Sequence, residues 1–172
     1  MNAMLRKILR ALLLALAALV VLLVVALRLG LLSQRSSEYI GRQPVRLARV
    51  SDGDTVVLLS PGGEELKVRL AGIDTSELGS ADGFRAALFT AELLEGARKI
   101  ELETEPAHRT SKHRIGPLRD KYGRLLGWVW VTPAQGDTLL LQEQLLRRGL
   151  ARLYTDEPHG KLYYERLNRA AR

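Results

Sequence analysis

Residues 50–77 read VSDGDTVVLLSPGGEELKVRLAGIDTSE, and this segment contains the clearest pattern of strands and turns in the chain. Asp54–Leu59 is a β-rich run that follows a Ser-Asp-Gly turn, and Leu66–Leu70 is a second apolar stretch. Pro61–Gly63 between them is typical of a hairpin turn. Because the preceding residues Val45–Val50 alternate between apolar and polar side chains, we predict three consecutive hairpin strands.

The rest of the chain predicts further strands and helices around these three strands. In chain order, they are a helix that begins at Ser80 and stops at Gly96, strands at Lys99–Glu103 and Leu125–Val131, an amphipathic helix at Thr138–Arg148 that Gly149 caps, and a short helix at Pro158–Ala171. This order is consistent with an α+β fold in which helices cap a small β-barrel. Periodicity alone does not distinguish among barrels of this class.

Charged residues recur at the predicted strand ends and turns. Asp54 begins a strand, Arg69 lies within the next strand, and Asp74 ends it. Glu77 follows three residues later, and Arg124 closes a turn before the aromatic strand. Carboxylate oxygens bind hard cations such as Ca²⁺ or Mg²⁺, and guanidinium groups bind phosphate oxygens through paired hydrogen bonds. Together these residues predict one site for a hard cation and a phosphate.

Each of these residues also has a structural interpretation. Asp54 and Asp74 are good turn formers, and Glu77 suits the position of a capping residue ahead of the predicted helix. Arg69 in an apolar strand needs an anionic partner, which Asp74 or Glu77 could supply. Arg124 could be a solvated loop residue. The occurrence of all five residues in this order favours a site over five separate structural roles.

The motifs resemble the staphylococcal-nuclease-like (thermonuclease) family from about Val45 to Tyr154. The similar segments are VSDGDTVVL at residues 50–58, KVRLAGIDTSE at 67–77, DKYGRLLGWVWV at 120–131 and LLRRGLARLY at 145–154. The resemblance implies a five-stranded OB-fold barrel capped by about three helices. One departure is Ser76, where the family has proline. This change loosens the turn but removes no functional group.

The resemblance also implies a metal site and catalytic residues. Asp54, Asp74 and the backbone carbonyl of Thr75 correspond to the ligands of Ca²⁺ in the family. The catalytic residues that it implies are Arg69, Glu77 and Arg124. The two arginines correspond to the phosphate clamp, where they would neutralise charge that grows on the phosphoryl oxygens. The glutamate corresponds to the general base that activates a water molecule.

Three further residues are candidates for substrate binding. Lys121 and Tyr122 lie in the turn before Arg124, and they could hold a neighbouring phosphate and stack a base. The family's active-site tyrosine falls on Thr155 in an ungapped alignment. Tyr154, one residue earlier, is therefore the predicted substitute.

The charge of the chain is unevenly distributed. The formal net charge is +7, but six of the 26 basic residues and one of the 19 acidic residues lie in residues 1–43. The high isoelectric point is therefore weak evidence for nucleic-acid binding. The segment Arg109–Arg124 is better evidence, because it contains six basic residues against Asp120 alone. The chain has no cysteine, which excludes disulfides and thiolate metal sites.

The N-terminus carries a long apolar segment behind a basic start. Residues 1–10 form a basic region, residues 11–32 a predicted transmembrane anchor, residues 33–43 a polar tether, and residues 44–172 the thermonuclease-like domain. Twenty-two residues of helix span ~33 Å, which is enough for the hydrocarbon core of a bilayer. The alternative is a cleaved signal peptide, although no small-residue cleavage site follows the segment. The basic start predicts a cytoplasmic N-terminus and an exported domain.

The resemblance, together with these residues, implies a calcium-dependent, largely sequence-nonspecific nuclease that hydrolyses phosphodiester bonds in DNA and RNA. We expect a monomer that is anchored in the bacterial inner membrane by a single span, with its domain on the periplasmic side. Cleavage of the segment would instead release a secreted enzyme. The alternative functions are a non-catalytic OB-fold module that binds nucleic acid or protein on a membrane anchor, and a tethered structural domain.

Overall fold

The computed structural model describes residues 4, 10, 12–25, 41–104, 117–154 and 163–172. The chain divides into two units, residues 1–38 and 39–172. In the first unit, residues 12–25 form helix α1 with exposed side chains. No helix within the described ranges combines the length and the apolar character that crossing a membrane requires. The predicted span Ala11–Leu32 extends beyond the described part of α1, and most of the predicted tether lies outside the described residues.

Five strands of the second unit close into a barrel. In chain order, the elements are β1 (Arg42–Asp52), β2 (Thr55–Leu59), β3 (Glu65–Leu70), β4 (Ile73–Asp74), α2 (Ala81–Glu95), β5 (Ala97–Thr104), β6 (Leu125–Pro133), β7 (Leu139–Leu140), α3 (Leu141–Arg147), β8 (Arg152–Leu153) and α4 (Tyr164–Ala170). Antiparallel pairs join β3 to β2, β2 to β1, β1 to β5 and β5 to β6, and a parallel pair between β3 and β6 closes the ring. The predicted α+β barrel with helical caps is therefore confirmed.

The core fills the barrel and the space beneath its helices. β6 is buried along almost its whole length, and Trp128 is completely buried within it. Gln142 of α3 is buried as well, and its amide donates to the carbonyl of Gly127 at 2.9 Å while its oxygen accepts from the amide of Val129 at 3.3 Å. These bonds hold α3 against β6, because a buried amide needs partners for its polar atoms.

Helix α2 begins and ends where the sequence predicts. The hydroxyl of Ser80 accepts a hydrogen bond from the amide of Gly83 at 3.0 Å, as an N-cap residue does. Gly96 follows the last residue of the helix and donates to the carbonyl of Glu92 at 3.1 Å. The α2 helix covers the start of the barrel beside the turn between β1 and β2.

The prediction of a helix over Thr138–Arg148 is wrong at its N-terminal end. Leu139–Leu140 instead pair with Trp130–Val131 of β6, and α3 begins only at Leu141. An available strand edge therefore overrides the local helical pattern. Gly149 does end α3, in a left-handed conformation with φ of 66°. In the predicted helix Pro158–Ala171, the described helical part is α4, and residues 155–162 lie outside the described residues.

Candidate active site

Arg69 lies between two carboxylates at one end of the barrel. Its Nη1 is 2.9 Å from Oδ2 of Asp54, and its Nη2 donates to Oδ1 of Asp74 at 2.9 Å. Nη1 also donates to the backbone carbonyls of Leu70 and Ile73, at 3.2 Å and 2.9 Å. The ion pair between Arg69 and Asp74, which is one of the structural alternatives that the sequence offers, is thus present. The guanidinium group also separates two carboxylates that would otherwise repel each other.

The strand register explains why these residues meet. Arg69 faces Thr55 across the β2–β3 pair, so that Asp54 stands beside the arginine at the start of β2. A turn through Gly72, with φ of 76°, then leads from β3 into β4, which ends at Asp74. Both carboxylates therefore come to the same end of one hairpin.

Asp54 is almost fully buried. Its Oδ2 accepts hydrogen bonds from the amide of Thr75 at 2.8 Å and from the Thr75 hydroxyl at 3.1 Å. Burial is the largest cause that raises the pKa of Asp54 to about 6, with a smaller contribution from nearby Asp52, against the opposing effects of the Arg69 charge and the Thr75 amide. The backbone behind Asp54 is held closely, because the Thr90 hydroxyl donates to the carbonyl of Gly53 at 2.9 Å.

Gly53 has no room for a side chain. A β-carbon at this position would lie 2.6 Å from that of Ala86 in α2 and 2.8 Å from the Thr75 hydroxyl oxygen. The turn Asp-Gly-Asp is therefore pressed against α2 and against the residue that holds Asp54. This contact explains in physical terms why glycine precedes Asp54.

Arg124 reaches the same region from the turn before β6. Its Nε donates to Oδ2 of Asp120 at 2.6 Å, and its Nη1 donates to the hydroxyl of Thr55 at 3.0 Å. Oδ1 of Asp120 accepts the amides of Tyr122 and Arg124, both at 2.9 Å. Burial alone would raise the pKa of Asp120, but the hydrogen bonds and charge of Arg124, with the Tyr122 amide, hold it below its usual range.

Both arginines line one cavity of about 190 Å³. The residues around it are Arg69, Leu70, Ala71, Gly72, Ile73, Asp74, Asp120, Lys121, Tyr122, Arg124, Leu126 and Tyr154. The three predicted substrate-binding residues are therefore together at its wall. Tyr122 is 72% exposed, and Nζ of Lys121 and Cζ of Arg124 lie 5.1 Å and 5.4 Å from the centre of its ring. Such an exposed aromatic ring between cations can stack against a base. Thr155 lies outside the described residues.

Glu77 does not line this cavity. Its side chain is exposed, and its backbone carbonyl accepts from the amide and hydroxyl of Ser80 at 2.9 Å and 2.8 Å. A β-carbon on Gly83 would overlap that carbonyl oxygen, so the Glu77 turn is pressed against the first turn of α2. The position of Glu77 is thus fixed by its backbone, while its carboxylate faces solvent.

Three residues of the site were not assigned a role from the sequence. Arg152 of β8 donates to Oδ2 of Asp74, at 2.8 Å from Nη2 and 3.2 Å from Nε. Thr55 and Asp120 both hold Arg124. Asp120 belongs to the segment DKYGR, which is one of the motifs identified in the sequence, so its importance could have been recognised. No local pattern connects Arg152 with Asp74, 78 residues away.

The donor atoms of the site suit a hard cation. Asp54 and Asp74 converge on the two terminal nitrogens of one guanidinium group, and the backbone carbonyl of Thr75 belongs to the same turn. These candidate donors are all oxygens, which is the chemistry of Ca²⁺ rather than of Zn²⁺. Within the described residues, no group of three or more His, Cys, Asp or Glu side chains could hold a metal ion. Water molecules would have to complete such a site.

A family model and individual relatives both indicate similarity to nucleases. A family model described as "Staphylococcal nuclease homologue" matches residues 67–172. The chain is 32% identical over 135 residues to a protein named thermonuclease from Staphylococcus intermedius. The alignment covers 74% of this chain and 70% of that protein. The chain is also 36% identical over 124 residues to a protein named endonuclease YncB from Bacillus subtilis, in an alignment that covers 68% of this chain and 51% of that protein.

Proposed function

Because the chain belongs to the staphylococcal nuclease family and is thus a hydrolytic nuclease, we propose that it uses Ca²⁺ to hydrolyse phosphodiester bonds of DNA and RNA with little sequence preference. One observation carries this proposal. Arg69 and Arg124, from separate elements, line a single cavity whose wall also contains Asp74. Two guanidinium groups beside carboxylates provide the binding chemistry for a phosphate and a hard cation.

Each side chain then has a chemical task. Arg69 and Arg124 donate hydrogen bonds to the non-bridging phosphate oxygens and stabilise the charge that develops there. Glu77 accepts a proton from the attacking water molecule. Asp54, Asp74 and the Thr75 carbonyl would hold Ca²⁺, which would supply positive charge and lower the pKa of a water molecule bound to it.

Contacts to phosphate rather than to base edges explain the expected lack of sequence preference, since phosphates carry no sequence information. Lys121 adds positive charge beside the neighbouring phosphate, and Tyr122 and Tyr154 stack against bases. Base stacking tolerates any sequence, because every base has a π-face. These contacts position the nucleic-acid strand, and the accessibility of a phosphodiester bond rather than its sequence then determines whether it is cleaved.

The test is cleavage of circular and linear DNA, and of RNA, by the full chain with Ca²⁺ or with a chelator. We expect cleavage that requires Ca²⁺, including cleavage of circular DNA, which has no ends. Asp54→Asn tests whether cleavage depends on this proposed Ca²⁺ ligand, because the substitution keeps the size of the side chain but removes its charge. DNA binding without any cleavage would favour the alternative of a non-catalytic OB-fold module.

We further propose that residues 11–32 anchor the protein in the bacterial inner membrane, with the nuclease domain in the periplasm. The apolar length of this segment and the basic residues before it support the proposal. Export would keep an unregulated nuclease away from the cell's own nucleic acids. We expect the chain to resist alkaline carbonate extraction and to be accessible to protease from the periplasm. A mature N-terminus between Leu29 and Arg42 would instead identify a cleaved signal peptide.

A further inference from the structure

Asp74 is shared by two arginines that reach it from different strands. Arg69 of β3 binds its Oδ1 through one hydrogen bond of 2.9 Å. Arg152 of β8 binds its Oδ2 through two hydrogen bonds, of 2.8 Å and 3.2 Å. Asp74 and Arg152 are partners in the β4–β8 pair, so the contact is built into the strand register. Both oxygens of this proposed metal ligand are therefore bound by guanidinium groups.

The two arginines are held to different degrees. The side chain of Arg69 is 13% exposed, and it also contacts Asp54 and two backbone carbonyls. The side chain of Arg152 is 82% exposed. Exposed ion pairs are weak, because water and salt screen them. A cation that approaches Asp74 therefore displaces Arg152 far more easily than it displaces Arg69.

A second cavity, of about 260 Å³, gives access to Asp74 from the side of Arg152. Its lining also includes Thr75, Ser76, Asp82 and the segment 149–151. Among the described residues that line it, Arg152 is the basic residue, and Asp74 and Asp82 are the acidic residues. Asp82 has its own exposed partner in Arg85. Replacing Arg152 by a neutral residue would leave a negative cavity around a proposed calcium ligand.

We propose that Arg152 is a positioning residue that competes with Ca²⁺ for Asp74 and so lowers the affinity of the site for calcium. The inference rests on the proposed function, because it concerns the same ligands. A divalent cation and a guanidinium group on one carboxylate oxygen repel each other and use the same lone pairs. Calcium binding through Oδ2 must therefore break the pair between Asp74 and Arg152, and the affinity is reduced by the strength of that pair.

The experiment compares Arg152→Gln with Arg148→Gln in the full chain. Both variants remove one positive charge from an exposed arginine near the end of α3. Arg148 contacts Gln144 and the ring of Phe89 rather than Asp74, so it is a matched control for net charge. The dissociation constant for Ca²⁺ is measured by titration calorimetry without nucleic acid, and the unfolding midpoint is measured in chelator.

We expect Arg152→Gln to bind Ca²⁺ about two- to fivefold more tightly than the unaltered protein, which is the ratio expected for an exposed ion pair. Arg148→Gln should leave the dissociation constant unchanged. Equal affinity in Arg152→Gln and the unaltered protein, weaker binding in Arg152→Gln, or equal tightening in both variants would overturn the inference. Absence of calcium binding by the unaltered protein would overturn the proposed function together with it.

Discussion

The two walls of the cavity are built in different ways. On the barrel wall, Arg69 and Asp74 line the cavity. Arg69 connects Asp74 to the buried Asp54, which does not line the cavity and accepts its hydrogen bonds from Thr75, 21 residues away. On the loop wall, Asp120 accepts its bonds from residues no more than four positions away. Long-range contacts make the barrel wall part of the fold, whereas the loop wall is organised largely by itself. Changes in the first wall should therefore affect both catalysis and stability, and changes in the second wall mainly catalysis.

The largest expected effect comes from replacing each clamp arginine by lysine. Lysine keeps the charge but loses the planar fork that binds phosphate oxygens in pairs. We expect Arg69→Lys and Arg124→Lys each to reduce turnover by about 10²-fold or more, as when a charge-stabilising donor is removed. Only Arg69→Lys should also lower the unfolding midpoint in chelator, because Arg69 joins two carboxylates and two backbone carbonyls.

The comparison between the walls depends on this difference in stability. Turnover is measured on DNA at saturating Ca²⁺, and unfolding is followed in denaturant. If both variants lost the same stability, the two walls would not differ as the contacts indicate. Near-normal turnover in either variant would show that its arginine is structural.

The hairpin that carries the barrel wall was predictable, because the turn and the strand pattern that define it are local. The turn at Pro61–Gly63 and the alternating strands around it define the hairpin, and the strand register then brings Asp54 to Arg69. The helical pattern over Thr138–Arg148 failed where the information was not local. Leu139 and Leu140 form a strand because β6 offers them an edge, and nothing in their own neighbourhood indicates that partner.

The site was predictable to a similar extent. The motifs indicated Asp54, Arg69, Asp74 and Arg124, which the structure brings to one end of the barrel, but Glu77 lies outside the cavity with its side chain exposed. The motifs also did not indicate which residues hold the charged groups. Arg152 contacts Asp74 across 78 residues, and in the sequence it is one of several arginines after α3. The ion pair of Arg69 with Asp74 was one of the alternatives that the sequence offered, whereas its pair with Asp54 was not, because that pair depends on the register between β2 and β3.

A second test uses the pH dependence of stability and addresses the burial of Asp54. Its pKa is raised from 3.8 to about 6 in the folded protein. A raised carboxyl pKa means that the folded state holds its proton more tightly than the unfolded chain. The stability from this proton is complete below pH ~4 and is lost as the pH rises through about 6. A shift of this size corresponds to at most ~3 kcal/mol.

The measurement is the unfolding free energy in chelator between pH 4 and 7, for the unaltered protein and for Asp54→Asn. The asparagine cannot ionise, so the stability of the unaltered protein relative to this variant should fall with rising pH. A relative stability that rises over the same range would mean that Arg69 outweighs burial at Asp54.

A smaller effect is expected at the edge of the barrel wall, where α2 supports the turn at Glu77. Alanine at Gly83 would overlap the carbonyl oxygen of Glu77, so the turn must shift. We expect Gly83→Ala to destabilise the fold by about 1–3 kcal/mol, although alanine favours a helix by about 1 kcal/mol over glycine. Turnover should fall as well if Glu77 is the base. Gly79→Ala is the control, because a β-carbon there meets no atom within 4 Å.

The smallest effect is expected on the loop wall, from Asp120→Asn. The amide keeps the shape of the carboxylate, but it weakens the contact of 2.6 Å with Nε of Arg124 by removing the charge. Arg124 keeps its bond to the hydroxyl of Thr55, so it stays near the cavity with less restraint. A hydrogen bond to a charged group contributes about 1.5 kcal/mol, which corresponds to about a tenfold loss of turnover. The unfolding midpoint should be nearly unchanged, since the bonds that Asp120 accepts lie within its own turn. A loss of stability comparable to that of Arg69→Lys would mean that this turn supports the barrel, and the distinction between the two walls would fail.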